Sequence, residues 1–391
     1  MTAAFRSDAA PGEAGTPGEA GTPGEAGPPP DADALRDGNA LREAGTPGAT
    51  DAPERFLPLA LGLVAELSAL PFDVYLLVGG HPVLYARRDA DPLGLVARVD
   101  GAAAPDLVVR SGEGPALRAT LLRSLVAAVD RSAQGGPDPE GGRRIAGLTA
   151  ALLEPLFGGP SATATVLRGG LRSPAGPGTD PAELAAAAEA ARLAGRAIAV
   201  RPDLAGRILA RRPAPLASRR VAGIGAGLVT VERAIDGIAL AAALARALGT
   251  DPLVAVEATA LRDLALDPET ASLAGTTEHW QHPLRAADRV LAAGGSIAVA
   301  AAIAAHHERL DGSGHPAGIG ADDLGPTERL VALVDVLVAM TRRDAAGGLP
   351  IGEAFRALRM AVAGRFDGRT VFALAGLIAD GTLGAGRGDR A

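Results

Sequence analysis

Five of the six histidines in this 391-residue chain fall between positions 279 and 315, and the densest stretch reads HHERLDGSGHP, from His306 to Pro316. Paired imidazoles followed by an acid, with an Asp-Gly-Ser-Gly turn close behind, supply the nitrogen and carboxylate donors that a hard or borderline metal ion takes. Because the chain has no cysteine, any transition-metal site has to be built from histidine and carboxylate alone. Adjacent residues of a helix point about 100° apart, so His306 and His307 serve one cluster only if a helix end faces it. His279 lies one turn from His282 and is read as solvent-facing rather than as a spare ligand. His81 stands beside Pro82 with no histidine or carboxylate neighbour in sequence, which points to a turn or surface role.

The elements that position these residues read as helices. Residues 297–305 form an apolar run that leads directly into His306; it is shorter than the roughly 20 residues needed to cross a bilayer and reads as a buried helix. From Val229 onward nearly everything has helical periodicity. Ile235, Ile238, Ala241, Leu244 and Leu248 recur at three- and four-residue spacing and stop at Gly249, a natural helix C-cap. Residues 330–340 and 354–362 behave in the same way.

Upstream, residues 55–134 read as a small α/β unit. An apolar helical stretch, LPLALGLVAELSAL, precedes two β-rich runs that flank Gly79-Gly80 as a hairpin; DLVVR is a third strand and residues 116–131 a helix. Residues 135–228 read as a helical connector, with Thr179 or Asp180 capping a helix that has Pro181 in its first turn. Its glycine-rich piece AGIGAGL lacks the Lys and Ser/Thr of a phosphate-binding loop. Residues 1–54, with PGEAG repeated three times and a Pro28-Pro29-Pro30 run, read as a disordered Pro/Gly-rich tether, since this composition breaks helices and has nothing to bury.

Composition removes several function classes. A net charge of −7 argues against a nucleic-acid or anionic-membrane surface. No basic segment followed by an apolar one opens the chain, so no secretory signal is expected and the cytoplasm is the default location. The apolar helix faces suit either a homodimer or an internal core.

The histidine-rich segment resembles the HHE…DGSGYP motif of HD-GYP domains. Other pieces are similar to that family too: His282-Pro283 followed by LRAADRVL, the stretch from Gly318 to Thr341 with Arg329 and Asp335, and RFDGRTVFAL near the end. The resemblance covers about residues 229–380. It implies a multidomain protein whose C-terminal domain, residues 229–391, is an all-α HD-type fold. The α/β unit, whose FDVYLLV segment is similar to units that often precede such domains, is then regulatory.

The resemblance also implies metals, often iron or manganese, that polarise a phosphodiester of cyclic di-GMP. Asp263, His282, His306 and His307 match the ligands of one metal. For the other, Asp263 and Asp335 remain, but the expected His-Asp pair reads Arg262-Asp263. The position expected for the N-terminal ligand histidine reads Arg233, with Asp236 one turn on as a substitute. Substrate contacts are expected at Arg329, Gly314, His315 and Pro316, and at Arg262 as a bidentate phosphate clamp together with Arg233. His315 stands where the family has tyrosine, and Leu266 where it has lysine. The expectation is a degenerate module with one divalent metal or none, acting as a dinucleotide receptor or as a scaffold for other signalling proteins. The alternative is an active phosphodiesterase in which Asp263 and the remaining cluster carry the reaction.

Overall fold

In the computed structural model, the described residues are 55–59, 61–67, 69–78, 81–97, 107–135, 138–157, 164–167, 170–172, 180–211, 225–266, 276–341, 348–361 and 364–384. The expected tether and the C-terminal tail from residue 385 lie outside them. The described residues belong to one compact unit, Asp51–Ala391.

The unit opens with a sheet. Strands β1 (Arg55–Leu59), β2 (Val74–Val78), β3 (His81–Ala86), β4 (Leu107–Arg110), β5 (Ala164–Leu167) and β6 (Gly170–Arg172) are ordered β3-β2-β4-β1-β5-β6, and every neighbouring pair is antiparallel. The expected hairpin is present, with Val78 opposite His81, and His81 is exposed at its start. Alternation along β4 sends Leu107 and Val109 into the main core. Val108 goes to the opposite face, against Phe56 and Tyr75, whose rings meet edge-on at 5.7 Å.

Two readings are corrected here. Residues 57–59, taken as the start of a helix, belong to strand β1, and among the described residues of that stretch the helix is limited to Leu61–Val64 (α1). The connector, read as helical, contributes the β5-β6 hairpin to the sheet edge. Both pieces are too short for their own periodicity to identify them, and their pairing partners are distant in sequence.

Helices α2 (Pro92–Ala97), α3 (Gly114–Ala133), α4 (Gly141–Leu153), α5 (Pro181–Val200) and α6 (Asp203–Ala210) follow the early strands. Of the two candidate caps for α5, Asp180 does the work: its carboxylate accepts the Ala182 N–H at 2.8 Å. Beyond them come α7 (Gly225–Leu248), α8 (Pro252–Leu261), α9 (Thr277–Trp280), α10 (His282–Ala292), α11 (Ile297–Ala304), α12 (Pro326–Thr341), α13 (Ile351–Ala361) and α14 (Gly368–Ala379). Gly249 ends α7 at φ +68°, as its spacing predicts.

One hydrophobic core runs from Leu59 in the sheet to Leu383 after the last helix. Within it, α5 packs against both α7 and α8 through small residues, among them Ala187, Ala190, Ala191 and Ala194, which let the helix axes approach closely. Helices α7 and α8 pack on each other, and α11 and α12 pack on α8. The histidines and acids singled out above sit where these helices meet.

Candidate metal centre

Five elements deliver the site. Helix α7 carries Arg233, the end of α8 gives Arg262 and Asp263, α10 begins at His282, the turn after α11 carries His306 and His307, and α12 holds Asp335. Helix α8 is started by Asp251, whose carboxylate accepts the Leu253 N–H, with Pro252 in its first turn, and it ends one residue before Arg262. Asp335 is buried in mid-helix, on an element whose apolar residues are buried nearly all round.

His282, His306 and His307 converge, with one ligand nitrogen from each lying within 4.8 Å of the others. The His306 and His307 rings are 4.0 Å apart, and each lies 5.1 Å from that of His282. The pair serves one cluster because α11 has stopped before them. His282 Nδ1 donates to the His279 carbonyl at 2.6 Å and His306 Nδ1 to the Ile303 carbonyl at 2.6 Å.

A carbonyl oxygen can only accept, so in both rings Nδ1 bears the hydrogen and Nε2 presents a lone pair to the cluster. The two Nε2 atoms face each other at 3.2 Å. Facing lone pairs repel unless a cation lies between them. Two nitrogens each about 2.1 Å from a shared ion stand roughly 3.0–3.4 Å apart, so the spacing fits a metal. Burial, reinforced by His307, holds the pKa of His306 well below the usual imidazole value and keeps the ring neutral and ready to ligate. His307 turns Nδ1 toward Asp335 Oδ2 at 3.2 Å. Asp263 adjoins the cluster, its Oδ1 3.6 Å from His282 Nε2, but it is not one of the three converging donors.

The two carboxylates have other partners. Arg262 Nε donates to Asp335 Oδ1 at 3.0 Å and lies 3.7 Å from Asp263 Oδ2. Arg233 Nη2 lies 3.5 Å from Asp335 and 3.8 Å from Asp263. Burial alone raises a carboxylate pKa, and at Asp263 it is outweighed by the guanidiniums of Arg233 and Arg262, so this group stays ionised. Asp335 is likewise held well below its ordinary value, burial being overcome by His307 and then Arg262.

Arg262 is 1% exposed, and its Nη1 also donates to the Thr259 carbonyl at 2.5 Å. It is therefore engaged by the protein rather than held open as a phosphate clamp. Room for it comes from Gly237 on α7, where a Cβ would lie 2.9 Å from Arg262 Nη1 and 2.3 Å from the Thr259 methyl. Asp236, the substitute ligand considered one turn from Arg233, pairs with Arg211 at 2.6 Å instead.

The motif loop folds back on the cluster. Glu308 is buried, and its Oε1 accepts the N–H groups of Ala317 at 2.7 Å and Gly318 at 3.2 Å. Gly314 lies so close to the Glu308 backbone that a Cβ would sit 2.4 Å from its Cα. His315 follows, joined to Pro316 by a cis peptide bond, with its ring 4.6 Å from that of His307. Burial, then the proximity of His307, lowers the His315 pKa to about 4.

Arg329, expected among the substrate contacts, donates to the Leu324 and Ala321 carbonyls and reaches Asp367, the N-cap of α14, so here it braces the loop that follows the motif. His279 is half-buried, its ring 5.4 Å from that of His282, rather than solvent-facing. Two contributors went unread in the sequence: Gly237, which carries no signal outside its helix packing, and Trp280, whose signal was being the single tryptophan of a chain poor in aromatics.

Residues 271–370 match the HD domain family. No curated protein matches the chain. Among solved structures, Bd1817, a HDG"Y"P protein from Bdellovibrio bacteriovorus, is similar in fold, with a TM-score of 0.53 at 17% identity, covering 83% of this chain and 99% of that one. Such coverage extends well beyond residues 229–391, so the sheet and the connecting helices share in the likeness. The HHE and DGSG segments stand at the convergence of these helices and fall within the stretch that matches the HD domain family, so the chain carries a region similar to HD domains in a fold similar to that of an HDG"Y"P protein.

Proposed function

We propose that this chain is a degenerate HD-GYP-type module of cytoplasmic cyclic di-GMP signalling, with lost or weakened phosphodiesterase activity, acting as a dinucleotide receptor or as a scaffold for other signalling proteins. His282, His306 and His307 would hold one divalent metal, iron or manganese, with Asp263 beside them. Residues 55–134 are its regulatory unit. When bound, the ion supplies a Lewis acid toward a phosphoryl oxygen.

The observation that carries this reading is the pairing of Arg233 and Arg262 with Asp263 and Asp335. An arginine does not lose its proton in a protein, and a guanidinium donates but cannot ligate. A second cation at these carboxylates would have to displace one buried and one partly buried charge that have no other anionic partner among the described residues. Activation of water then rests on a single ion, and much of the electrostatic stabilisation that a two-metal arrangement gives the transition state is forgone.

The alternative, an active phosphodiesterase, is favoured by the complete histidine triad and by the neutral, ligand-ready His306. Purification without chelators, metal analysis by mass spectrometry and incubation with cyclic di-GMP separate the two. One metal per chain and dinucleotide binding with little or no turnover are expected. Sustained turnover by the metal-loaded chain, with one metal or with more, would establish the alternative.

A further inference from the structure

Trp280 is the single tryptophan of the chain, and half of it, 51%, is exposed. One face of the indole is covered by His315, stacked at 5.6 Å with an interplanar angle of 20°. His315 Nδ1 also approaches the Trp280 carbonyl at 3.3 Å. Since the His315 ring is 4.6 Å from that of His307, the three rings form an aromatic wall that rises from the histidine triad to solvent. The wall is firmly placed. Thr276 caps α9 through the His279 N–H, and the His279 carbonyl in turn fixes His282, so Trp280 is tied to the element that presents a ligand.

We propose that Trp280 is a stacking face for the nucleobase of a phosphate-ester ligand whose phosphate lies at the histidine triad. The inference rests on the dinucleotide reading above and adds to it the residue that receives a base. A cation held by three imidazoles attracts phosphate oxygens but does not distinguish one ester from another. A planar indole two ring spacings away adds recognition of a flat heterocycle, and it does so without regard to base identity because every base has a π-face. The exposed surface of Trp280 is then the part of the wall that the ligand covers.

Because the chain has one tryptophan, its fluorescence reads this position alone. The full chain, purified without chelators, is titrated with cyclic di-GMP and in parallel with inorganic phosphate, following tryptophan emission and calorimetric affinity. The calorimetry is repeated with Trp280→Ala and Trp280→Phe.

Cyclic di-GMP is expected to quench the emission, and Trp280→Ala to weaken its binding by about tenfold to a hundredfold while Trp280→Phe keeps most of the affinity. Metal content, thermal midpoint and any affinity for phosphate should be the same in all three proteins, which a purely structural role for the indole would not give. Calorimetric binding of cyclic di-GMP without quenching, and with equal affinity in Trp280→Ala, would overturn the stacking role and leave the dinucleotide reading standing. No binding of cyclic di-GMP to the wild-type chain would overturn both.

Discussion

At position 262 a permanent positive charge is sealed from solvent beside two carboxylates. Taking one partner out of a buried ionic set leaves the rest uncompensated, which costs about 3–5 kcal/mol. Arg262→Ala is therefore expected to lower stability by that order in urea denaturation, and a loss below about 1 kcal/mol would mean that the carboxylates do not depend on it. Buried His306 and half-buried His315 give the chain an acid sensitivity whose sign is fixed by their lowered pKa values. Below about pH 6.5 an unfolded chain takes up protons that the folded His306 and His315 refuse, so stability falls with pH, in the case of His315 down to about pH 4. The depressed Asp263 and Asp335 act later: their stabilisation is intact above the usual carboxylate range and is lost only in stronger acid. Denaturation midpoints of chelator-treated protein between pH 7.5 and 4.5 should decline steadily from about pH 6.5; a flat profile over that interval would contradict the burial of these rings.

At the scale of elements, the site is made by where helices stop. Helix α11 ends just before His306 and α8 just before Arg262, while α10 begins at His282, so the three histidines and Asp263 sit on helix ends and turns, and Asp335 alone of the named donors comes from mid-helix. The motif loop depends on one close approach. Gly314 lies against the backbone of Glu308, and Gly314→Ala would force the two segments apart. The expected cost is about 1–3 kcal/mol, as for other overpacked positions, together with weaker metal binding as His307 and His315 shift. Thermal melting and metal titration of this variant check both parts; unchanged values would mean that the loop relaxes without moving its histidines. Helix α11 and Gly249 could be placed from sequence because long apolar periodicity and a left-handed cap are local signals. Strand β1 and the β5-β6 hairpin could not, since a short strand is defined by partners elsewhere in the chain.

For the whole molecule, α5 buries its small-residue face against α7 and α8, so the helices that carry the metal centre are part of a core they do not fill alone. A fragment restricted to residues 229–391 would expose that face. It is expected to be poorly soluble or to melt well below the full chain, and a fragment with the full thermal midpoint would show the region to be self-sufficient. The sequence by itself determined which residue types were available: histidine and carboxylate without cysteine, an HHE segment after an apolar helix with a DGSG turn close behind, and arginine at two positions where the family resemblance leads one to expect imidazole. These are properties of composition and local spacing, readable without a fold. Only the tertiary structure decided what the arginines do. Whether Arg233 and Arg262 reach outward for a phosphate or inward to Asp263 and Asp335 depends on the packing of α7 against α8, on the space left at Gly237 and on the position of α12, and the strength of a charge pair depends on distance and burial that sequence spacing does not fix.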